Sequence, residues 1–146
     1  MNAVRKKQST VVVSGYFNPL HVGHLDMIEG ARKLGDRLVV IVNNDYQVAL
    51  KGSVPFMRAE ERVRIVQALA AVDDVVLSID VDKTVCETLR MIKPDMFANG
   101  GDRPDTASIP ETSVCEELGI EMVFGIGDKI QSSSWLIENA AHHVRR

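Results

Sequence analysis

The sequence has few of the features that mark disulfide-rich, membrane or nucleic-acid-binding proteins. Its two cysteines, Cys86 and Cys115, have no partners at metal-site spacing, so both are predicted to be reduced and non-catalytic. A net charge of -3 gives no basis for a nucleic-acid partner. The apolar runs fall far below the roughly 20 residues that span a bilayer, and the opening "MNAVRKKQST" lacks an apolar signal core. We therefore expect a cytoplasmic protein with no membrane partner.

The composition is that of one ordinary globular domain. The chain has 146 residues, of which 45% are hydrophobic and 25% charged, enough to form one packed core without disulfides. It contains no repeat, low-complexity tract or linker. Residues 1–146 are therefore predicted to form a single domain.

Short β-branched runs alternate with segments of helical period. Strands are predicted at residues 10–15, 37–43, 74–79, 95–100 and 120–125. Helices are predicted from about residue 21, at 58–72, and at 84–92, 111–118 and 133–142. The apolar residues in most strands are consecutive, which is typical of a parallel sheet covered on both faces. The fold class is therefore α/β: a single Rossmann-like, doubly wound domain with a five-stranded parallel sheet.

The stretch "GYFNPLHVGHL" follows the first strand at the edge where such sheets bind ligands. His21 and His24 lie one turn apart at the predicted helix start and should point to the same side, and Gly23 leaves space between them. A helix N-terminus favours an anion, so the stretch predicts a phosphate site. Two alternatives stay open: a zinc site, which needs a third ligand not found nearby in sequence, and an exposed pair without function.

Several motifs together resemble a known family. "GYFNPLHVGH" is similar to the HxGH signature of the nucleotidyltransferase superfamily, which includes glycerol-3-phosphate cytidylyltransferase and the heptose-phosphate adenylyltransferases. "GDRLVVIVNND" resembles its second strand, and "LKGSVPFMRAEERVRIVQALAAVDDVVL" its lysine loop and following helix. "KPDMFANGGDR" and "DKIQSSSWLI" resemble the fourth strand with its glycine loop and the start of the closing helix.

The resemblance implies transfer of a nucleotidyl group from a nucleoside triphosphate to a small phosphorylated or phosphonylated alcohol, with release of pyrophosphate. His21, His24 and Lys51 would be the catalytic residues, with His24 the main group that stabilises the transition state. Asn18 and Arg103 would contact the acceptor. The residues implied in nucleotide binding are Gly15, Tyr16, Phe17, Asn18, Gly23, Asn99, Gly100, Gly101, Asp102, Ile130, Ser132 and Ser133.

The resemblance also implies Mg²⁺ carried with the triphosphate, no metal bound by the protein itself, and a homodimer. The helix predicted at 58–72 begins with three cations, Arg58, Arg62 and Arg64. They form either a solvated face or a set in which one residue faces an anion. Catalysis of this kind rests on positioning and charge stabilisation.

Two positions depart from the family pattern. Asn18 stands where many members have aspartate, and Ile126 stands near the place of an arginine in the cytidylyltransferase branch. The overall layout favours transfer of CMP over AMP. The alternatives are an adenylyltransferase acting on a sugar phosphate and a nucleotide-binding regulatory module without catalysis.

Overall fold

The computed structural model describes residues 8–100 and 109–126, which form a parallel sheet covered by helices. The five strands are β1 (Thr10–Gly15), β2 (Arg37–Val42), β3 (Asp74–Leu77), β4 (Met96–Gly100) and β5 (Glu121–Ile126). The helices are α1 (Val22–Arg32), α2 (Asp45–Leu50), α3 (Ala59–Gln67), α4 (Cys86–Ile92) and α5 (Thr112–Leu118). All neighbouring strands pair in parallel in the order β3-β2-β1-β4-β5. The predicted α/β fold with a five-stranded parallel sheet is confirmed.

Both faces of the sheet are buried, as the consecutive apolar residues predict. Alternate residues of β1 point to opposite faces: Val11 and Val13 join one core cluster, and Val12 joins the other. The first cluster includes Ile28 of α1, and the second includes Leu89 of α4. Burial of these side chains on both faces fixes the register of the central strand.

The order of the strands reverses beside β1. The chain runs outward from β1 through β2 to β3 and then crosses to β4 on the other side of β1. In sheets of this kind, ligands bind beyond the carboxyl ends of the strands at that reversal. The turn after β1, which carries the histidine motif, lies at this point.

Several element boundaries differ from the sequence prediction. Helix α2 is not predicted, although Asn44 caps it and Gln47 completes a capping box. Strand β3 ends at Leu77 instead of residue 79, and α3 ends at Gln67 instead of residue 72. The helix predicted at 133–142 lies outside the described residues. In the described part of the chain, every helix is too short or too polar to cross a bilayer.

Both cysteines are free thiols in the structure. Cys115 is buried, and burial raises the pKa of its thiol to about 11. Burial also raises the pKa of Cys86. Because a reactive cysteine needs a lowered pKa, both thiols are protonated and unreactive at neutral pH.

Candidate active site

The turn that follows β1 is tightly packed around Phe17. This side chain is 1% exposed and its backbone has φ 50°, which is uncommon for a bulky residue. A Cβ atom at Gly15 would lie 2.8 Å from Cζ of Phe17, so the turn requires glycine there. The Phe17 ring also meets His24 edge-on, with 4.8 Å between ring centroids. The turn thereby fixes one face of the His24 imidazole.

The two histidines cap the helix that they begin. His21 is the N-cap of α1, and its Nδ1 accepts the backbone N–H of Gly23 at 3.1 Å. Nδ1 of His24 accepts the backbone N–H of His21 at 3.1 Å, which closes a reciprocal capping box. The rings stack with centroids 3.8 Å apart. The prediction that the two side chains point to the same side is confirmed.

These hydrogen bonds determine which ring nitrogen holds the proton. A neutral imidazole has one N–H, and an Nδ1 that accepts a hydrogen bond places this hydrogen on Nε2. Nδ1 of each ring faces a backbone N–H at the start of α1, and Nε2 is the ring nitrogen that donates. The site therefore presents N–H donors from side chains, while the backbone amides of His21 and Gly23 are occupied by the imidazoles.

His24 is held in its neutral form. Its pKa falls to about 4, mainly because the ring is buried, and also because His21 and Lys51 add positive charge nearby. At neutral pH the ring is therefore a hydrogen-bond donor through Nε2 and carries no net charge. A neutral imidazole of this kind can stabilise negative charge on an oxygen by donating its Nε2–H to that oxygen.

Lys51 lies close to this pair although it comes from another element. It is the C-cap of α2, and its Nζ lies 4.3 Å from the centroid of the Tyr16 ring, a cation–π contact. Burial raises the pKa of Tyr16, with Glu111 adding to the effect. The neutral Tyr16 ring thus holds the Lys51 ammonium group beside residues 15–24, which we call the histidine turn.

Arg62 has a role that the sequence prediction missed. The side chain is fully buried, and its guanidinium donates to the carbonyls of Tyr16 and Asn43 at 2.7 Å and to that of Met57 at 3.1 Å. It also pairs with Asp45 at 2.6 Å. Of the two readings left open for Arg58, Arg62 and Arg64, a solvated face does not apply to Arg62, which pairs with the carboxylate of Asp45 and ties the turn after β1 to the end of β2. Five donors in a planar fork suit arginine to such a position.

Asn18 is also committed to the protein backbone. Its side chain is 6% exposed, its Nδ2 donates to the carbonyl of Val54 at 3.0 Å, and its Oδ1 accepts the N–H of Phe56 at 2.8 Å. Both polar atoms of the amide are thus engaged by the segment that follows Lys51. A direct contact with a ligand would have to displace one of these bonds.

The end of β4 approaches the same edge of the sheet. A Cβ atom at Gly100 would lie 2.9 Å from Sδ of Met27 and 3.1 Å from the carbonyl of Ile126. Glycine is therefore needed there for packing against α1 and β5. Nδ2 of Asn99 is buried and has no hydrogen-bond partner among the residues that the structure covers. The remaining predicted site residues lie outside the described part of the chain: Gly101, Asp102, Arg103, Ile130, Ser132 and Ser133.

The described residues provide no metal site of their own. In residues 8–100 and 109–126, no three His, Cys, Asp or Glu side chains are grouped to hold a metal ion. Mg²⁺ commonly binds through phosphate oxygens with few protein ligands.

Comparison with known proteins identifies the class of protein. The profile of the family described as "Cytidylyltransferase-like" matches residues 12–126. This match includes the histidine turn, Lys51 and Arg62. The chain therefore belongs to the cytidylyltransferase-like family of nucleotidyltransferase enzymes, as the sequence motifs indicate.

Individual relatives are similar to two thirds or more of this chain. The chain is 45% identical over 100 residues to a protein called "Bifunctional protein HldE" from Koribacter versatilis, a match that covers 67% of this chain and 20% of that protein. It is 42% identical over 115 residues to an "FAD synthase" from Pyrococcus abyssi, covering 77% of both chains. The chain spans only about a fifth to a third of the HldE proteins that it matches.

A solved structure has the same fold. The lipopolysaccharide core biosynthesis protein from Thermoplasma volcanium superposes with a TM-score of 0.67 at 28% identity, covering 82% of this chain and 95% of that one. The shared architecture is the all-parallel Rossmann-like sheet of order 3-2-1-4-5.

Proposed function

We propose that the protein transfers AMP from ATP to a small phosphorylated acceptor and releases pyrophosphate. The observation that carries the reaction type is the pair of stacked imidazoles whose Nδ1 atoms both bind backbone N–H groups. This arrangement makes Nε2–H the donor of each ring, beside Lys51. A phosphate chain is the ligand that such a set of donors suits.

The choice of AMP over CMP comes from the relatives. FAD, the product in the name of the relative from Pyrococcus abyssi, contains an adenylyl group joined to a flavin phosphate, and that relative matches over 77% of both chains. The layout argument for CMP has no comparable support among these relatives. We therefore replace the sequence-based preference for CTP with ATP, and CMP transfer becomes an outcome that the experiment tests.

In the proposed reaction, an oxygen of the acceptor's phosphate attacks the α-phosphorus of ATP. A bond forms between that oxygen and the α-phosphorus, and the bond from the α-phosphorus to the bridging oxygen breaks, so that pyrophosphate leaves with the electron pair. His24 and His21 donate Nε2–H hydrogen bonds to the phosphate oxygens where negative charge grows. Each such donor is worth on the order of 3 kcal/mol in the transition state.

Lys51 neutralises further negative charge on the triphosphate. A lysine is a point charge on a flexible stem, and we assign Lys51 to the β- and γ-phosphates. Magnesium bound to the triphosphate would add further charge neutralisation on the phosphate oxygens. In this proposal, residues at the end of β4, together with Ser132 and Ser133, complete the nucleotide site.

The test is an assay of pyrophosphate release with ATP, CTP, GTP and UTP, each with Mg²⁺ and a panel of phosphomonoester acceptors that includes flavin and sugar phosphates. We expect release with ATP and at least one acceptor, and thermal stabilisation by ATP alone, because a ligand that binds the folded state raises its melting temperature. Turnover with CTP only would assign CMP transfer. Stabilisation by ATP without turnover on any acceptor would contradict catalysis and favour a nucleotide-binding module.

A further inference from the structure

Residues 54–56 lie beside the histidine turn without the apolar packing that normally holds a loop. Val54 is 76% exposed and Phe56 60% exposed, so neither side chain anchors the segment in the core. Gly52, which leads into it, has φ 80°, a conformation natural to glycine. The backbone of this segment must therefore be fixed by hydrogen bonds.

Those hydrogen bonds come from Asn18. Its amide donates to the carbonyl of Val54 at 3.0 Å and accepts from the N–H of Phe56 at 2.8 Å, pairing with the segment as a neighbouring strand would. The two sides of the segment are held separately. Before it, the N–H of Ser53 donates to the carbonyl of Val48, and after it the carbonyl of Met57 accepts from Arg62.

We infer that Asn18 is a positioning residue, which holds the segment after Lys51 against the histidine turn and so places the Lys51 ammonium for the triphosphate. Lys51 is three residues before Val54, and its Nζ lies over the ring of Tyr16, two residues before Asn18. Residues 16–18 and residues 51–56 thus contact each other at two places, between Tyr16 and Lys51 and between Asn18 and residues 54–56. The role given to Lys51 rests on the proposed function. The two hydrogen bonds from Asn18 to Val54 and Phe56, which we call the latch, do not depend on it.

The chemistry of the latch requires an amide. Aspartate at position 18 would still accept the N–H of Phe56, but a carboxylate has no hydrogen to give the carbonyl of Val54. Two acceptors would then face each other in a buried place, which is unfavourable. Asn18→Asp therefore removes one bond with almost no change of shape, and Asn18→Ala removes both.

The first experiment measures hydrogen exchange at the Phe56 amide and needs no activity. We expect exchange to quicken roughly tenfold or more in Asn18→Ala, which removes the acceptor of the Phe56 N–H, and to quicken less in Asn18→Asp, which keeps that acceptor. The matched control is Asp95→Ala, which removes a 2.8 Å bond to the N–H of Thr10 at the opposite edge of the sheet. Unchanged protection of Phe56 in Asn18→Ala would overturn the inference, whether or not the protein proves to be an enzyme.

The second experiment is a double-mutant cycle with Lys51→Ala. If Asn18 acts through Lys51, Asn18→Asp should raise KM for ATP roughly tenfold in the parent but less than about threefold in the Lys51→Ala background. The KM for the acceptor should stay unchanged, and Asp95→Ala should leave both KM values alone. A purely structural role would lower kcat with additive effects, and this result would also overturn the inference.

If the parent shows no turnover, the cycle is run on the Kd for ATP, measured by calorimetry. The absence of turnover in the parent counts against the proposed function only. Additive Kd effects count against the role of Asn18.

Discussion

Two polar regions lie at the carboxyl edge of the sheet, and they use their hydrogen-bonding groups differently. The first is the histidine turn, residues 15–24. The second, which we call the closed polar cluster, lies at the ends of β2 and β3 and consists of Asn44, Gln47, Ser78, Asp80 and Thr88.

The closed polar cluster directs its polar groups into the protein. Nε2 of Gln47 donates to the carbonyls of Asp82 and Thr84, and its Oε1 accepts from Asn44 N–H. The Asp80 carboxylate accepts from the N–H groups of Glu87 and Thr88. In the histidine turn, by contrast, each imidazole binds the backbone through Nδ1 and holds its donor hydrogen on Nε2. The two regions thus differ in that the polar side chains of the closed polar cluster bind one another and the nearby backbone, whereas the imidazoles bind the backbone through Nδ1 and donate through Nε2.

The strongest test separates the two nitrogens of His24. His24→Asn keeps an acceptor near the place of Nδ1 but removes the Nε2–H donor, so kcat should fall about a hundredfold or more while the melting temperature changes little. His24→Gln should lose the contact to the N–H of His21 but retain more activity than His24→Asn. Steady-state kinetics and thermal unfolding measure both effects. A kcat of His24→Asn within about twofold of the parent would contradict a catalytic role.

The matching change in the closed polar cluster should affect stability alone. Thr88→Val removes a hydroxyl that donates to Asp80 at 2.5 Å and accepts the N–H of Ile79. The buried carboxylate of Asp80 and the N–H of Ile79 then each lose a partner, which should lower the free energy of unfolding by about 2 kcal/mol. Urea unfolding checks the stability, and unchanged KM values check the site. A fall in kcat at full stability would mean that the two regions do not differ as described.

A smaller effect is expected at Lys51. Lys51→Ala should raise KM for ATP by about tenfold, because the charge that meets the terminal phosphates is lost. The matched control is Lys83→Ala, which removes an exposed lysine after β3 and should leave KM unchanged. Equal effects of the two variants would show that the loss is a general effect of surface charge.

The last test concerns the dependence of stability on pH. The pKa of His24 is about 4 in the folded protein and about 6.5 in an unfolded chain. Between these values the unfolded state binds more protons, so this contribution to stability is complete above about pH 6.5 and is lost as the pH falls toward 4. His24→Asn should flatten the slope of unfolding free energy against pH in this window. An unchanged slope would show that His24 is not the residue responsible.

Most of the fold follows from the sequence because burial leaves a local signature. Consecutive apolar residues predict β1 and β2 to within one residue of their ends. Strand β3 is shorter than predicted because Ser78 and Asp80, which follow it, turn into the closed polar cluster. Helix α2 has a signal in the Asn44 and Gln47 capping box, which the search for apolar periodicity passes over.

The site is less predictable, since its contacts join residues distant in sequence. The spacing of His21 and His24 predicts that they share a side, but not that Nδ1 of each binds the backbone. Arg62 is buried only because carbonyls at Tyr16 and Asn43 converge on it. Asn18 reads as a departure from the family pattern until its partners in residues 54–56 are known.

Because β1 lies at the centre of the sheet, the earlier and later strands of the chain lie on opposite sides of it. The hydrogen bonds described around the imidazoles all join residues between Gly15 and Arg62, whereas β4 and β5 reach β1 from its other side. Under the proposed function, substitutions in β4 and β5 can therefore change what binds beside the histidine turn while the hydrogen bonds made by the two imidazoles stay in place.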